Sequence, residues 1–514
     1  MSGSEFLAPD EISVDAAAEL LGARLQVQPG EAQATDRTFY DTFDGLVRDA
    51  GSSVVHERGR VSVVDRATGL VQADGAMAQP TRPLMIADLG PGRLRDALAP
   101  VVKLRALLAL VHVHSRARAL NVLDGERKTV VRMTLEEPAV IASTSRHIPL
   151  RPRLRLAAVR GYADEFDRVA RELTDTLGFR PADQTLADEA VRAAGGVPGG
   201  VRSKVELALP PTQRADGAAA TVLRALLAVI AANLEGATAG IDSEFLHDFR
   251  VSVRRSRSVQ REFKKVFPAA QLSHFRREFN WLQRATGDAR DLDVYVLEFD
   301  DLAGLVAAET RADLAPLLGV LEDRRQAARR QMARDLRAER TSKLFQDWAA
   351  FLEELVELPL EGREGAQRPV AEVAAARILK VYRRMVKMGS AVSDSSPAEE
   401  FHALRKRGKE LRYLLELFGA PLFSEDVVKP MIKALKSLQD LLGRHQDREV
   451  QISLLRSLSD EVAGRPGGPA ALMAIGVLIE HLGADEQRTR VEFAERFGAF
   501  ASGAQRKRIK AVFS

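Results

Sequence analysis

Two stretches of this 514-residue chain decide its fold: LHDFRVSVRRSRSVQREF at 246–263 and FHALRKRGKELRYLLELF at 401–418. In each stretch a histidine and several cations recur at offsets of three and four residues, so they share one stripe of an α-helix. Small and apolar residues beside each stripe predict a buried seam along the same helix. The first stripe holds His247, Arg250, Arg254, Arg257, Arg261 and Lys264, and the second holds His402, Arg405, Lys409 and Arg412.

The two stretches are copies of one another. His402 follows His247 by 155 residues, and LQRATGDARDLDV at 282–294 is answered at about the same distance by LQDLLGRHQDREV at 438–450. Similarity at a fixed interval indicates an internal duplication. Each half contains enough periodic segments for about four helices, which predicts two four-helix bundles related by a pseudo-twofold axis.

The stripes separate positive from negative charge. Cations three or four residues apart on a helix repel by a few tenths of a kcal/mol per pair, and these stripes contain almost no acid. A long polyanion lying on the stripe would offset that repulsion, whereas the alternative is an ordinary solvated face. Two further cationic sets flank the second stripe: Arg377, Lys380, Arg384 and Lys387 before it, and Lys433 and Lys436 after it. We expect Asp291 and Asp447, at matching positions, to orient the basic residues rather than to act as acid catalysts.

Composition limits the classes of function. The net charge is only +4 and the isoelectric point is about 9.2, so the arrangement of charge carries more information than its sum. The absence of cysteine excludes disulfides, thiolate nucleophiles and zinc–thiolate sites, and it suits a reducing cytosol. We find no signal-peptide pattern and expect no apolar run of membrane-spanning length. The sequence therefore predicts a cytoplasmic protein without a membrane partner.

The pattern of the chain predicts an α+β protein of two domains. Residues 1–195 alternate with a period of two around Asp-Gly and Gly turns, as antiparallel strands with flanking helices do. The stretch 196–213 is rich in Gly and Pro and is predicted to be a linker. Residues 214–514 are helical, and a break at PLEGREGAQRP divides them into 214–360 and 369–514.

The region 214–514 resembles the CHAD family, the conserved histidine α-helical domains. The segments that carry the resemblance are the two stripes, TGDARDLDV at 286–294 and LQDLLGRHQDREV at 438–450. The resemblance implies a metal-independent module that binds inorganic polyphosphate in a basic groove between two bundles, often at polyphosphate granules. It implies ligand contacts from His247, Arg250, Arg254, Arg257, His402, Arg405, Lys409 and Arg412. We add to the predicted contacts the neighbouring cations Arg261, Arg377, Lys380, Arg384, Lys387, Lys433 and Lys436.

The N-terminal region resembles a CYTH domain, the fold of the triphosphate tunnel enzymes. The resemblance rests on three segments: RTFYDTFDGLVRDAG at 37–51, LDGERKTVVRMTLEE at 123–137 and LGFRPADQTLADEAVRAAG at 177–195. It implies an antiparallel β tunnel or barrel. Active members carry an ExExK strand and a strand with alternating metal-binding glutamates, but this chain has Glu5-Phe6-Leu7 and Arg153-Leu154-Arg155-Leu156-Ala157-Ala158 there.

These substitutions bear on metal chemistry. Phosphoanhydride cleavage needs carboxylates to hold Mg²⁺ or Mn²⁺, so we predict no metal site, no cofactor and no catalytic residue. The weak candidates that remain for metal ligands are Asp65, Asp124, Glu126, Glu136 and Glu137. Cations at alternating positions predict either an anion-binding strand face or a solvated one: His114, Arg116 and Arg118, then Lys128 and Arg132, then Arg151, Arg153 and Arg155.

Three functions follow as expectations. The first is a non-enzymatic polyphosphate-binding protein, cytoplasmic and associated with polyphosphate granules. The second is a metal-dependent triphosphate or polyphosphate hydrolase acting through the N-terminal tunnel. The third is a nucleic-acid binder, which we favour less because only Tyr413 and Trp281 stand near the basic elements for base stacking. Oligomeric state and preferred chain length stay open.

Overall fold

The computed structural model describes residues 3–9, 12–143, 146–393 and 396–513. The chain divides into two compact units, Met1–Arg202 and Ser203–Ser514. The first unit contains the strands and the second is helical.

The first unit is built on one antiparallel sheet with the strand order β10-β1-β9-β7-β6-β2-β3-β4-β5, and β8 pairs with β7. Its strands are β1 Gly3–Leu7, β2 Val27–Asp41, β3 Ser52–Glu57, β4 Arg60–Asp65, β5 Val71–Ala76, β6 Leu108–Leu123, β7 Thr129–Ser143, β8 Arg146–Pro149, β9 Arg153–Ala158 and β10 Arg180–Pro181. Its helices are α1 Val14–Arg24, α2 Leu46–Asp49, α3 Arg93–Val102, α4 Ala163–Asp175 and α5 Leu186–Ala193. The long β6–β7 hairpin turns at Asp124, whose Oδ1 accepts from the backbone N–H groups of Glu126 and Lys128.

The antiparallel sheet agrees with the sequence prediction, but the expected closure into a barrel was wrong. Among the described residues, the terminal strands β5 and β10 do not pair with each other. Helices cover the sheet instead: α3 packs Leu94 and Leu98 in one apolar cluster with Val61 and Val63 of β4. In a second apolar cluster, α1 and α4 pack against β7, β9 and the neighbouring strands. Helix α3 thus covers the face of the sheet next to its end strand β5, whose Ala73 belongs to the same cluster.

The second unit repeats one helical arrangement twice. The first copy comprises α6 Ala215–Ala239, α7 Ser243–Glu262, α8 Ala269–Ala285, α9 Gly287–Leu297, α10 Phe299–Ala303, α11 Ala315–Arg337 and α12 Glu339–Glu354. The second copy comprises α13 Val370–Gly389, α14 Ala398–Leu414, α15 Ala420–Leu422, α16 Glu425–Ser457, α17 Ser459–Ala463, α18 Gly468–Phe500 and α19 Gly503–Phe513. Helices α13 and α14 begin 155 residues after α6 and α7, so the predicted duplication is also a structural one. The continuous α16 corresponds to α8 and α9, which are separated at Thr286.

Contacts between equivalent positions mark the pseudo-twofold axis. Phe263 and Phe418, 155 residues apart, stack with ring centroids at 4.3 Å. Arg214 and Pro369, also 155 residues apart, form an isolated antiparallel bridge. A residue that touches its own counterpart must lie close to the axis that relates the copies, so these two pairs locate the axis.

An apolar cluster also joins the two copies. It packs Leu302 and Leu317 of the first copy with Leu458 and Leu478 of the second, and all four are buried. The copies therefore meet both at the Phe263–Phe418 pair and across a hydrophobic interface.

The connection between the copies is anchored inside the unit. Arg363 is fully buried, pairs with Asp216 at 3.1 Å and donates to the carbonyl oxygens of Leu355, Leu358 and Val266. A buried guanidinium is tolerated only when its donors are satisfied. The segment 355–369 is thus held against the first copy.

Helix α6 corrects one expectation of the sequence analysis. By length and composition this helix is apolar enough to cross a membrane. The sequence analysis expected no apolar run of that length. Half of its most apolar window is buried in the unit, and its fully buried residues include Val222, Leu226 and Ile230. Gly236 lets α7 approach closely, because a Cβ there would lie 2.2 Å from the ring of Phe245.

Candidate anion-binding site

The cations of the two copies converge on Lys409 of α14. Burial lowers the pKa of the Lys409 ammonium to about 7, and three neighbouring cations add to the shift: Arg405, Arg254 and Arg412. Arg254 belongs to α7 of the first copy and the others to α14. The two predicted stripes therefore approach each other where the copies meet, and they form a patch that repels its own positive charge.

Two acids border this patch. Arg405 Nη2 lies 3.6 Å from Asp447, whose side chain is 60% exposed, so the pair contributes little to stability. Asp447 and its counterpart Asp291 both reach solvent, yet the protein packed around them partly desolvates the carboxyl groups and raises the pKa of each. The pKa of Tyr295 is raised to about 12, first by burial and then by both of these carboxylates. Asp291 and Asp447 thus lie near the same tyrosine, at the end of the patch that adjoins the apolar cluster.

Arg250 forms hydrogen bonds within the protein. Its side chain is buried, and Nη1 donates to the carbonyl oxygen of Gln283 at 2.9 Å and to Thr286 Oγ1 at 2.8 Å. Burial lowers its pKa to about 10. Arg250 therefore fixes α7 to the junction of α8 and α9.

The two stripe histidines have different partners. Arg290 Nη2 lies 3.0 Å from Nδ1 of His247. A guanidinium can only donate, so Nδ1 accepts and the neutral ring carries its proton on Nε2. In the second copy Gln446 takes the place of Arg290, and its Oε1 contacts His402 Nδ1.

The orientation of the Gln446 amide follows from its other contact. Gln446 Nε2 donates to Glu449 at 3.3 Å, and a carboxylate can only accept. His402 must then donate from Nδ1, which leaves Nε2 without a proton in the neutral ring. The duplicated histidines thus have opposite tautomers.

Two ion pairs cross the axis beside the stacked phenylalanines. Arg255 pairs with Glu416 at 2.9 Å and Arg261 with Glu410 at 2.7 Å. Position 255 of the first copy corresponds to 410 of the second, and 261 corresponds to 416. At both positions the first copy has arginine and the second has glutamate.

Residues 221–456 match the CHAD domain family. This region is a CHAD domain. The chain is also 28% identical over 272 residues to an uncharacterized protein of Mycobacterium tuberculosis, found in two strains. That match covers 52% of this chain and 48% of the relative, so the chain spans about half the length of the curated relatives it matches.

Two solved structures share similarity with the chain. The CHAD domain from the plant Ricinus communis has 26% sequence identity and a TM-score of 0.47, covering 58% of this chain and 95% of that one. PptA from Streptomyces chartreusis has 19% identity and a TM-score of 0.41, covering 55% and 99%.

The residues predicted to contact the ligand lie in several different parts of the CHAD domain. Arg261 and Arg377 are tied to buried Glu262, and Arg261 also to Glu410. Lys387 lines a cavity of about 530 Å³ between α13 and α19, together with Arg506 and Lys510, and Lys380 lines an adjacent one. Lys433 and Lys436 are exposed on α16. Arg254, Arg405, Lys409 and Arg412 are the predicted residues that come together at the meeting of the copies.

The sequence analysis missed the acids of the CHAD domain that face these cations: Glu262, Glu410 and Glu416. When the two copies are aligned, Glu410 occupies the position equivalent to Arg255, and Glu416 the position equivalent to Arg261. This change from a positive to a negative side chain at equivalent positions was the signal in the sequence that could have identified Glu410 and Glu416.

Most strand cations of the first unit are engaged by carboxylates. His114 Nδ1 lies 2.9 Å from Asp36, and Arg116 and Arg118 lie within 3.3 Å of Asp15. Arg153 is buried between Glu5, at 3.0 Å, and Glu189. These pairs neutralise much of the charge that could have held an anion on the strands.

The weak metal-ligand candidates are scattered. Asp65 accepts from Thr68 in a turn, Asp124 caps the β6–β7 turn, and Glu126 pairs with Lys128. Glu136 is buried with Arg37 and Ser115, whereas Glu137 is exposed. Within the described ranges, no three acidic or histidine side chains are grouped as ligands of one metal ion.

Proposed function

We propose that the CHAD domain binds inorganic polyphosphate along the cationic patch where α7 and α14 approach each other. The observation that carries the proposal is the convergence of Arg254, Arg405 and Arg412 on Lys409, whose pKa burial lowers to about 7 with a further contribution from these three cations. Such a patch is costly in the isolated protein and becomes favourable when a polyanion occupies it.

Polyphosphate suits this patch because its charge is linear and dense. Cations that replace the counterions condensed on a polyanion release them, which gives tight binding that falls steeply with salt. Arginine grips phosphate oxygens with two parallel hydrogen bonds, and lysine supplies a compact charge. Stripes contributed by both copies would follow a chain over more phosphates than one copy could.

We also propose that binding needs no metal and that the protein does not cleave its ligand. In the first unit, which we take to be a CYTH-like domain, Glu5 is paired with Arg153 and so is not available as a metal ligand in this arrangement. The cytoplasm and polyphosphate granules are the proposed location, on the strength of the family resemblance.

The test measures binding and turnover in one experiment. Long-chain polyphosphate is titrated into the full chain at several salt concentrations, with and without Mg²⁺ and Mn²⁺, and phosphate release is followed. We expect metal-independent binding that weakens with salt, and no release. Metal-dependent release would make the protein a hydrolase, and displacement of polyphosphate by equimolar RNA phosphate would favour a nucleic-acid binder.

A variant locates the site. Arg405→Glu combined with Lys409→Glu reverses two charges at the centre of the patch, and we expect it to abolish binding while the helical circular dichroism is retained. Unchanged affinity in a folded variant would place the site elsewhere.

A further inference from the structure

A second cationic feature lies in the first copy. Helices α7 and α8 and the turn between them enclose a cavity of about 520 Å³, a volume typical of small-ligand sites. Gln260, Ser273 and Asn280 add polar groups, and no carboxylate is among the residues that line it. Its cationic lining consists of Arg257, Arg261, Lys264, Arg276 and Arg277.

The charges around this cavity repel one another. Burial lowers the pKa of Arg257, and the guanidinium groups of Arg261, Arg276 and Arg284 lower it further. Arg257 Nη2 donates to the neutral oxygen of Asn280 at 3.0 Å. Arg277 likewise donates to the neutral Ser273 hydroxyl at 3.1 Å, whereas Arg261 is paired with Glu262 and Glu410. The cations with neutral partners keep their positive potential in the cavity, so an anion entering it would gain interactions with them.

The second copy keeps two of the five lining cations, Arg412 at the position of Arg257 and, at the 156-residue offset that relates α8 to α16, Lys433 at that of Arg277. The positions of Arg261 and Lys264 are taken by Glu416 and Gly419, and that of Arg276 by Ile432. The backbone differs as well, because residues 264–266 form a 3₁₀ turn whereas Leu415–Gly419 form a π-helical turn. The cavity was therefore not simply inherited with the duplicated stripes.

We propose that this cavity binds a compact phosphate of high charge, either the terminal phosphates of a polyphosphate chain or a short free oligophosphate. A terminal phosphate carries more charge than an internal one, and several arginine forks around one volume match such a cluster of oxygens. The chain-end form rests on the proposed function, whereas the free-oligophosphate form does not.

The primary test uses tripolyphosphate as the probe and calorimetry on the full chain. Arg276 and Arg277 are exposed, so Arg276→Ser with Arg277→Ser should fold normally. We expect this variant to lose about tenfold or more in tripolyphosphate affinity. The matched control is Arg330→Ser with Arg337→Ser, which removes the same charge from exposed positions of α11 and should change affinity by less than about twofold. Equal affinities of the α8 variant and the wild type would overturn the proposal.

A second arm separates the two sources. The α8 variant is titrated with long and short polyphosphates at equal total phosphate. A loss that grows as the chains shorten identifies chain ends as the ligand, and a loss confined to tripolyphosphate identifies a free oligophosphate. Tripolyphosphate binding that persists in Arg405→Glu with Lys409→Glu keeps this site distinct from the patch, even if long chains fail to bind the wild type.

Discussion

The two copies within the CHAD domain carry opposite charges at equivalent positions where they contact each other. At the Phe263–Phe418 pair the copies are alike, and each contributes the same ring to the same contact. Two and eight residues before the rings they are opposite, since Arg261 and Arg255 of the first copy face glutamates of the second. Two first copies would oppose arginine to arginine, and two second copies glutamate to glutamate. The charges at this contact therefore favour the pairing of unlike copies over the pairing of like ones.

The largest expected effect comes from removing that complementarity. Arg255→Glu with Arg261→Glu makes the first copy resemble the second, and four carboxylates then meet in partly buried surroundings. We expect the free energy of unfolding to fall by about 3 kcal/mol, less than for fully buried pairs because Arg261 is 40% exposed. Chemical denaturation provides the measurement.

The reciprocal exchange is the control for this prediction. Adding Glu410→Arg and Glu416→Arg restores opposite charges across the axis with the copies reversed, so most of the stability should return. A quadruple variant as unstable as the double variant would show that these pairs do not specify the contact.

The next effect concerns the second-copy lysine at the position of Arg254. Because the pKa of Lys409 is about 7, its ammonium loses its proton as the pH rises through neutrality, whereas Arg254 stays charged. Polyphosphate would favour the protonated form, so affinity should fall above pH 7 by at most about tenfold per pH unit, with proton uptake on binding. Calorimetry in buffers of different ionisation enthalpy measures that uptake.

The substitution Lys409→Arg gives both copies an arginine at this position. In that variant the uptake near neutral pH should disappear and affinity at pH 8 should exceed that of the wild type. Persistence of the same proton uptake would assign it to another group.

The same pKa has a consequence for stability without ligand. The folded-state pKa is depressed below the ordinary value of 10.5, so between about pH 7 and 10.5 the unfolded chain binds the extra proton. The contribution of Lys409 to the free energy of unfolding therefore rises with pH over that window. Lys409→Met should remove this part of the pH dependence, as denaturant titrations at pH 6 and 9 would show.

A smaller effect is expected at the position where the copies agree. Phe263→Leu and Phe418→Leu should destabilise the protein equally, and the double variant should reveal a coupling of about 1 kcal/mol between the rings. Unequal single effects would mean that one ring packs mainly within its own copy.

The smallest effect distinguishes the two histidines. Long-range ¹H–¹⁵N spectra of the ligand-free protein at pH 8 should show the Nε2–H tautomer for His247 and the Nδ1–H tautomer for His402. Gln446→Arg should convert His402 to the tautomer of His247, with a change in polyphosphate affinity of about twofold or less. Identical tautomers in the wild type would contradict the hydrogen-bond assignment.

The sequence predicted those features that repeat along one helix. The stripes of α7 and α14, the duplication and the antiparallel strands all follow from local periodicity, and the structure confirms the fold class built on them. What was missed depends on partners distant in sequence: the acids that hold Arg261 and Arg377, the separation of Lys380 and Lys387 towards α19, and the covering of β5 by α3. Helix α6 was missed for a related reason, because its apolar composition becomes interpretable once its packing in the bundle is known.

The anchoring of segment 355–369 by Arg363 bears on the strength of the contact between the copies. At the axis, away from the apolar cluster, the copies are joined by partly exposed ion pairs and one aromatic pair. These contacts alone would hold two separate molecules together only at high concentration. A short fixed tether makes the encounter intramolecular, with an effective concentration of about millimolar or more. Weak contacts are then enough to keep the copies together at the axis, and the charges there could change during evolution without loss of the assembly.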